Sequence, residues 1–233
     1  MTTPTYVARR GQLETYFDRT AVDAWARLTS DAPVGRIRAT VRAGRDEMRA
    51  TLLSWLPADL TGLRLLDAGC GTGALSAAAA ARGATVVGVD ISPTLIALGR
   101  ERLVGGAGPG RIDLRVGDML DPALGEFDHV VAMDSLIHYP AKDVEAALAR
   151  LAARTRCSIL FTFAPSTPLL ATMHAVGQFF PRGDRSPAIE PIGATRLAHR
   201  IDGHLGLSAF RRARSRRVAR GFYISQAQEL VRR

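Results

Sequence analysis

The stretch Leu65-Leu66-Asp67-Ala68-Gly69-Cys70-Gly71-Thr72-Gly73 most constrains what this chain can become. An apolar run ends in an acid, glycines follow at alternate positions, and Ala74-Leu75-Ser76-Ala77-Ala78-Ala79-Ala80-Ala81 then favours helix. Strand, tight turn and helix in that order open a doubly wound α/β sheet. The pattern recurs downstream. Ala84–Asp90 reads as a second buried strand ending in an acid, Ile112–Gly117 as a third ending at Asp118-Met119, and Phe127–Met133 as a fourth ending at Asp134-Ser135. An alanine-rich helix over 141–153 leads to a fifth strand, Cys157–Phe163, which Pro165 stops. Leu207–Val218 and Gly221–Leu230 read as a closing hairpin.

Four successive strand ends thus present acidic or polar groups, and in an open α/β sheet those ends line the ligand crevice. The glycine spacing departs from Gly-x-Gly-x-x-Gly, where a helix N-terminus holds a pyrophosphate. S-adenosylmethionine has no phosphate; it carries an amino-acid head and a sulfonium, so an acid beside the head's ammonium suits it. On this reading Asp67, Gly69, Cys70, Gly71 and Gly73 hold the amino-acid end. Asp90, with Ile91 and Ser92, takes the ribose hydroxyls, Asp118 and Met119 the adenine, and Met133 and Asp134 close the site. This constellation resembles the class I S-adenosylmethionine-dependent methyltransferases over roughly residues 48–164. The resemblance implies a Rossmann-like, seven-stranded, mostly parallel sheet with one antiparallel strand near the C-terminus. A nicotinamide-type domain and a cofactor-sensing module without chemistry are the competing readings.

The 233 residues suit one catalytic domain with an added lobe. Residues 1–60 show no βα alternation: Gly11–Leu28 and Val34–Leu56 read as amphipathic helices of an N-terminal arm before a core over 61–233. Between about 165 and 206 an insertion interrupts the alternation, first apolar, then aromatic, then proline-punctuated and basic. With no apolar run of about eighteen residues and no secretory pattern at Met1-Thr2-Thr3-Pro4-Thr5, a cytoplasmic protein is expected. Cys70 and Cys157 are read as reduced thiols, and no metal site is expected. The formal charge of +9 is almost wholly arginine, Lys142 being the single lysine. A solvated basic surface and an anionic partner explain it equally. Arg211 to Arg217 could touch RNA phosphates, yet no aromatic residues interleave with them, so nucleic acid is not expected as a partner.

The blocks 16–28 (Tyr16 to Leu28), 133–140 (Met133 to Pro140) and 221–225 (Gly221 to Ser225) are similar to those of the magnesium protoporphyrin IX O-methyltransferases of bacteriochlorophyll synthesis. The resemblance runs over nearly the whole chain. It implies methyl transfer from S-adenosylmethionine to one propionate of a magnesium porphyrin, with magnesium arriving only inside the substrate and S-adenosylhomocysteine as the other product. It also implies catalytic roles for His138 and Tyr16, although Leu28-Thr29 stands where relatives often carry a second tyrosine. Trp25, Arg182, Arg185, Arg196 and His199 are the expected substrate contacts, the arginines to pair carboxylates. His174 or His199 could offer magnesium an axial nitrogen, against a purely structural role for either. Substrate hand-over from magnesium chelatase and peripheral membrane contact are the further expectations.

The chemistry asks for geometry above all. A propionate, with a pKa near 4–5, is already an anion at neutral pH and needs no strong base. Holding oxygen, methyl carbon and sulfur in line at roughly 3 Å is worth several kcal/mol. Methylation of a quinone or phenol, and less favourably of RNA, are the alternative enzymatic readings.

Overall fold

The computed structural model describes residues 3–20, 35–103, 108–166 and 189–233. A seven-stranded sheet in the order β3-β2-β1-β4-β5-β7-β6 forms its centre. The strands are β1 (Arg64–Ala68), β2 (Thr85–Asp90), β3 (Arg111–Val116), β4 (Phe127–Ala132), β5 (Thr155–Phe163), β6 (Phe210–Arg220) and β7 (Tyr223–Arg232). β1 to β5 pair in parallel, and β7 runs antiparallel to both of its neighbours, as the expected architecture required.

Alternation along the central strands explains why both faces are covered. Leu65, Val86, Val131 and Leu160 point to one core, shared with α2 (Arg36–Trp55) and α3 (Ala74–Ala80). Their neighbours Leu66, Val87, Val130 and Ile159 point to the other, shared with α1 (Pro4–Thr15), α5 (Ala141–Ala152) and α6 (Ala194–Gly203). Strands buried on both faces must be apolar throughout, which is why they read as continuous runs. Truncating a fully buried residue such as Leu66 to alanine costs on the order of 2–5 kcal/mol. At the exposed edge, β6 carries arginine after arginine, which blunts edge-to-edge association. Arg212, Arg214 and Arg216 are committed to Asp202, Glu229 and Glu47 at 2.7, 2.6 and 3.1 Å. Three of the five arginines between 211 and 217 thus carry intramolecular ion pairs.

Several boundaries differ from expectation. The first helix covers 4–15, so it begins seven residues before the expected start, and positions 21–28 of the expected helix lie outside the described residues. Thr3 caps it by accepting from the Tyr6 N–H at 3.1 Å, Pro4 occupies the first turn, and a π-helical turn over Tyr16–Thr20 follows. The arm also divides, because α2 packs on β6, β7 and α3 as a covering layer of the sheet, whereas α1 docks beside the strand ends. Leu207 closes a short 3-10 turn, and β6 begins at Phe210. The hairpin turns at Gly221-Phe222, where Gly221 takes a φ of 56°.

Candidate active site

The crevice opens between β1 and β4, the adjacent strands from which the connections run in opposite directions. It has a volume of about 270 Å³ and is walled by the glycine turn, by Asp90 and Ile91 after β2, by Met133 to Ser135 after β4, by α2 and by the N-terminal arm. Gly69 shows why the turn needs glycine: its φ is 81°, and a Cβ there would run into the Ser135 side chain. A Cβ on Gly71 would meet nothing within 4 Å, and Gly73 closes the turn by packing against Leu103 and Leu114.

Asp67 ends β1 buried, accepting from Ser76 Oγ at 2.7 Å. Burial lifts its pKa to about 6; the Ser76 bond opposes this, and the charge of Asp90 adds to it. Asp90 ends β2 half-buried. Its two oxygens accept the backbone N–H groups of Gly71 at 2.8 Å and Ser92 at 3.0 Å, so it fastens the glycine turn to the sheet. Burial raises its pKa as well, against those backbone bonds. Cys70 lies beside both acids, its thiol pushed up by burial and by their charge.

Asp118 belongs to the arm as much as to the crevice. Its Oδ1 accepts from Tyr6 Oη at 2.8 Å and from the Leu120 N–H at 2.9 Å, and its Oδ2 accepts from Arg10 at 2.7 Å. Gly117 and Met119 on either side line the cavity. Ser92, expected near the ribose, is fully buried and caps α4 (Pro93–Arg102) by accepting from the Leu95 N–H. Asp134 holds a φ of 55°, unusual for a residue with a side chain. It is fixed by Arg45 at 3.0 Å, Tyr223 Oη at 3.0 Å and Thr162 Oγ1, which accepts from the Asp134 N–H at 2.7 Å.

The arm covers the crevice through specific contacts. Tyr6 stacks on Tyr139 with ring centroids 4.8 Å apart, Arg9 pairs with Glu190 at 2.5 Å, and Asp143 accepts from Thr3 and Thr5. Asp18 accepts from Thr94 Oγ1 at 2.5 Å, tying the π-helical turn to the start of α4. Burial raises the pKa of Tyr6. His138, buried at the end of the turn after β4, meets the edge of Phe17 at 5.9 Å and lines the cavity. Among the described residues of the arm, Tyr6 and Phe17 are the aromatics that line the cavity; Tyr16 meets Phe17 edge-on, with centroids 5.3 Å apart.

The expected substrate contacts are distributed differently. Trp25, Arg182 and Arg185, with His174, lie outside the described residues. Arg196 and His199 are exposed on α6, whose buried Leu197 and Ile201 fix its rotation; neither lines the cleft. His199 instead borders a separate cavity with Asp202 and Arg212, and Arg200 of the same face pairs with Glu145 at 2.6 Å. Among the described residues the arginines that line the cleft are Arg42, Arg45 and Arg49 of α2, none of them expected. Their spacing of three and four residues, on the helix that buries Met48 and Leu52, was the available signal. Among the described residues no His, Cys, Asp and Glu cluster could hold a metal ion.

A family model described as magnesium-protoporphyrin IX methyltransferase C-terminus matches residues 132–232, and a general methyltransferase domain model matches 65–157. A magnesium-protoporphyrin O-methyltransferase of Rhodobacter capsulatus is 51% identical over 225 residues, 96% of this chain and 97% of the relative. This chain belongs to the magnesium-protoporphyrin O-methyltransferase family. A Synechocystis relative of the same name is 31% identical over 93% of this chain and 94% of its own. The crystal structure of the Synechocystis magnesium protoporphyrin IX methyltransferase with bound S-adenosylhomocysteine superposes with a TM-score of 0.83 at 29% identity, covering 96% of this chain and 99% of that one. The family assignment thus spans arm, core and C-terminal hairpin alike. No described helix is long and apolar enough to cross a membrane.

Proposed function

We propose that this enzyme transfers the methyl group of S-adenosylmethionine to a propionate carboxylate of magnesium protoporphyrin IX, giving the monomethyl ester of (bacterio)chlorophyll synthesis. The 51% identity over nearly the full length to a magnesium-protoporphyrin O-methyltransferase carries this reading. The cleft's residues fit the cofactor. Asp67 and Asp90 supply carboxylates for a cation and a diol, and Gly71 faces open space. When bound there, S-adenosylmethionine supplies a methyl group activated on a sulfonium.

The chain's own residues then have three tasks. Asp67, Asp90 and the glycine turn anchor and orient the donor, with Met119 and Met133 as apolar walls. Tyr6, Leu13 and Phe17 cover the site and exclude water, held down through Asp118, Asp143 and Thr94. His138 orients the acceptor carboxylate by donating a hydrogen bond. A carboxylate needs no deprotonation here, so the rate comes from positioning in a cavity shielded from solvent. Chelatase hand-over and peripheral membrane contact belong to the same reading, since substrate and product are large and apolar.

Turnover on a panel of acceptors tests the assignment. Magnesium protoporphyrin should be esterified at a rate well above metal-free protoporphyrin, a quinol or a phenol; a faster phenol or quinol would overturn it.

A further inference from the structure

Three arginines line the cleft beside the acids and glycines assigned to the cofactor above. Arg42, Arg45 and Arg49 stand at i, i+3 and i+7 of α2 and all line the cavity. At 1.5 Å rise per residue the row spans about 10 Å, two turns of helix. Arg45 is committed to Asp134. Arg49 shares its charge with Asp46, one helical turn away and half-exposed, at 2.7 Å. A pair of that kind is worth only a few tenths of a kcal/mol and is readily exchanged for a better anion. Also lining the cavity is Ser135 Oγ, a buried hydroxyl with no partner among the described residues. A buried hydroxyl of this kind calls for a partner beyond the described residues, and a bound ligand can supply it. The cavity's acids do not supply one: Asp67 bonds Ser76, Asp90 bonds two backbone amides, and Asp134 is ringed by Arg45, Tyr223 and Thr162.

We infer that Arg42, Arg49 and the Ser135 hydroxyl form a carboxylate-recognition wall that receives a propionate of the porphyrin and gives the enzyme its preference for the free diacid. The inference rests on the substrate proposed above. Guanidinium forks suit planar carboxylates, and a row about 10 Å long can hold one propionate while the other reaches the donor. The cofactor's α-carboxylate has the same chemistry, so the experiment separates the two.

Porphyrin affinity is read from the absorbance change on titrating magnesium protoporphyrin, or its dimethyl ester, into protein saturated with S-adenosylhomocysteine. The affinity for S-adenosylhomocysteine alone is measured by calorimetry. Wild type should bind the diacid at least tenfold more tightly than the dimethyl ester. Arg42→Gln combined with Arg49→Gln should bring the two porphyrins within about threefold while changing S-adenosylhomocysteine affinity less than threefold, and the corresponding double lysine variant should recover part of the preference. Ser135→Ala, a small change that leaves the helix intact, should weaken the diacid several-fold and the ester hardly at all. A double glutamine variant that keeps the diacid preference would overturn the wall. So would one that loses S-adenosylhomocysteine affinity with the preference intact, which would assign the arginines to the cofactor. A wild type that binds neither porphyrin would instead overturn the proposed activity itself.

Discussion

Asp67 is the residue whose charge state bears most directly on the donor site proposed above. Burial raises its pKa to about 6 in the free protein, so at pH 5 roughly a tenth of the molecules carry the carboxylate and at pH 7 roughly nine-tenths. The ligand's α-ammonium stays protonated over that range. If the cation binds the ionised form, affinity for S-adenosylhomocysteine should fall about tenfold from pH 7 to pH 5, with most of the loss below pH 6. Asp67→Asn removes that titration. Its affinity at pH 7 should be at least tenfold weaker than wild type, and its profile from pH 5 to 7 should vary less than about threefold. The free protein should show the opposite sign. A carboxyl whose pKa is raised by folding stabilises the fold at low pH and loses that contribution as pH rises through the folded value. From an ordinary 3.8 to about 6, the wild type should lose about 2 kcal/mol relative to Asp67→Asn between pH 4 and pH 7. Calorimetric titration at three pH values gives the binding half, and denaturant melts of both proteins give the stability half. Equal pH slopes for wild type and variant in binding would refute the reasoning.

Asp90→Ala should raise the dissociation constant for S-adenosylhomocysteine at least tenfold, because it removes a candidate ribose acceptor and unfastens the Gly71 N–H together; unchanged affinity would detach Asp90 from the cofactor. His138→Ala should lower kcat at least tenfold and alter S-adenosylhomocysteine affinity less than twofold, and wild-type turnover in that variant would make His138 a structural residue. Tyr6→Phe keeps the stack on Tyr139 and removes the hydroxyl that bonds Asp118, so the apoprotein should lose about 1 kcal/mol in denaturant melts. Restoration of that stability on adding Asp118→Asn to Tyr6→Phe would show that a carboxylate short of one donor, not a lost contact, was responsible.

The sheet and the glycine turn after β1 were legible because their requirements are local. Apolar runs buried on both faces, an acid at each strand end and glycines at positive φ each leave a mark on consecutive residues. The arm was harder. Its helix starts where Thr3 and Pro4 say it should, yet the apolar spacing around Leu13 and Phe17 drew the boundary seven residues late and left Tyr6 outside it. Tyr6 acts through Asp118 and Tyr139, more than a hundred residues away, and no local pattern reports such a meeting. The arginines show the same limit. Those of α6 looked suited to carboxylates, but Leu197 and Ile201 turn that helix so that they miss the cleft, while the basic face of α2 reaches it because Met48 and Leu52 face the sheet.

The central claim is that the methyl group ends on a propionate oxygen, and the position of the label tests it most directly. Purified enzyme, methyl-labelled S-adenosylmethionine and magnesium protoporphyrin are mixed in a single turnover, and the pigment is isolated before and after mild alkali. The account predicts one label per porphyrin, released by alkali as methanol, with one S-adenosylhomocysteine formed for each. Label that stays on the pigment through alkali, or that appears only when a quinol or phenol replaces the porphyrin, would contradict it.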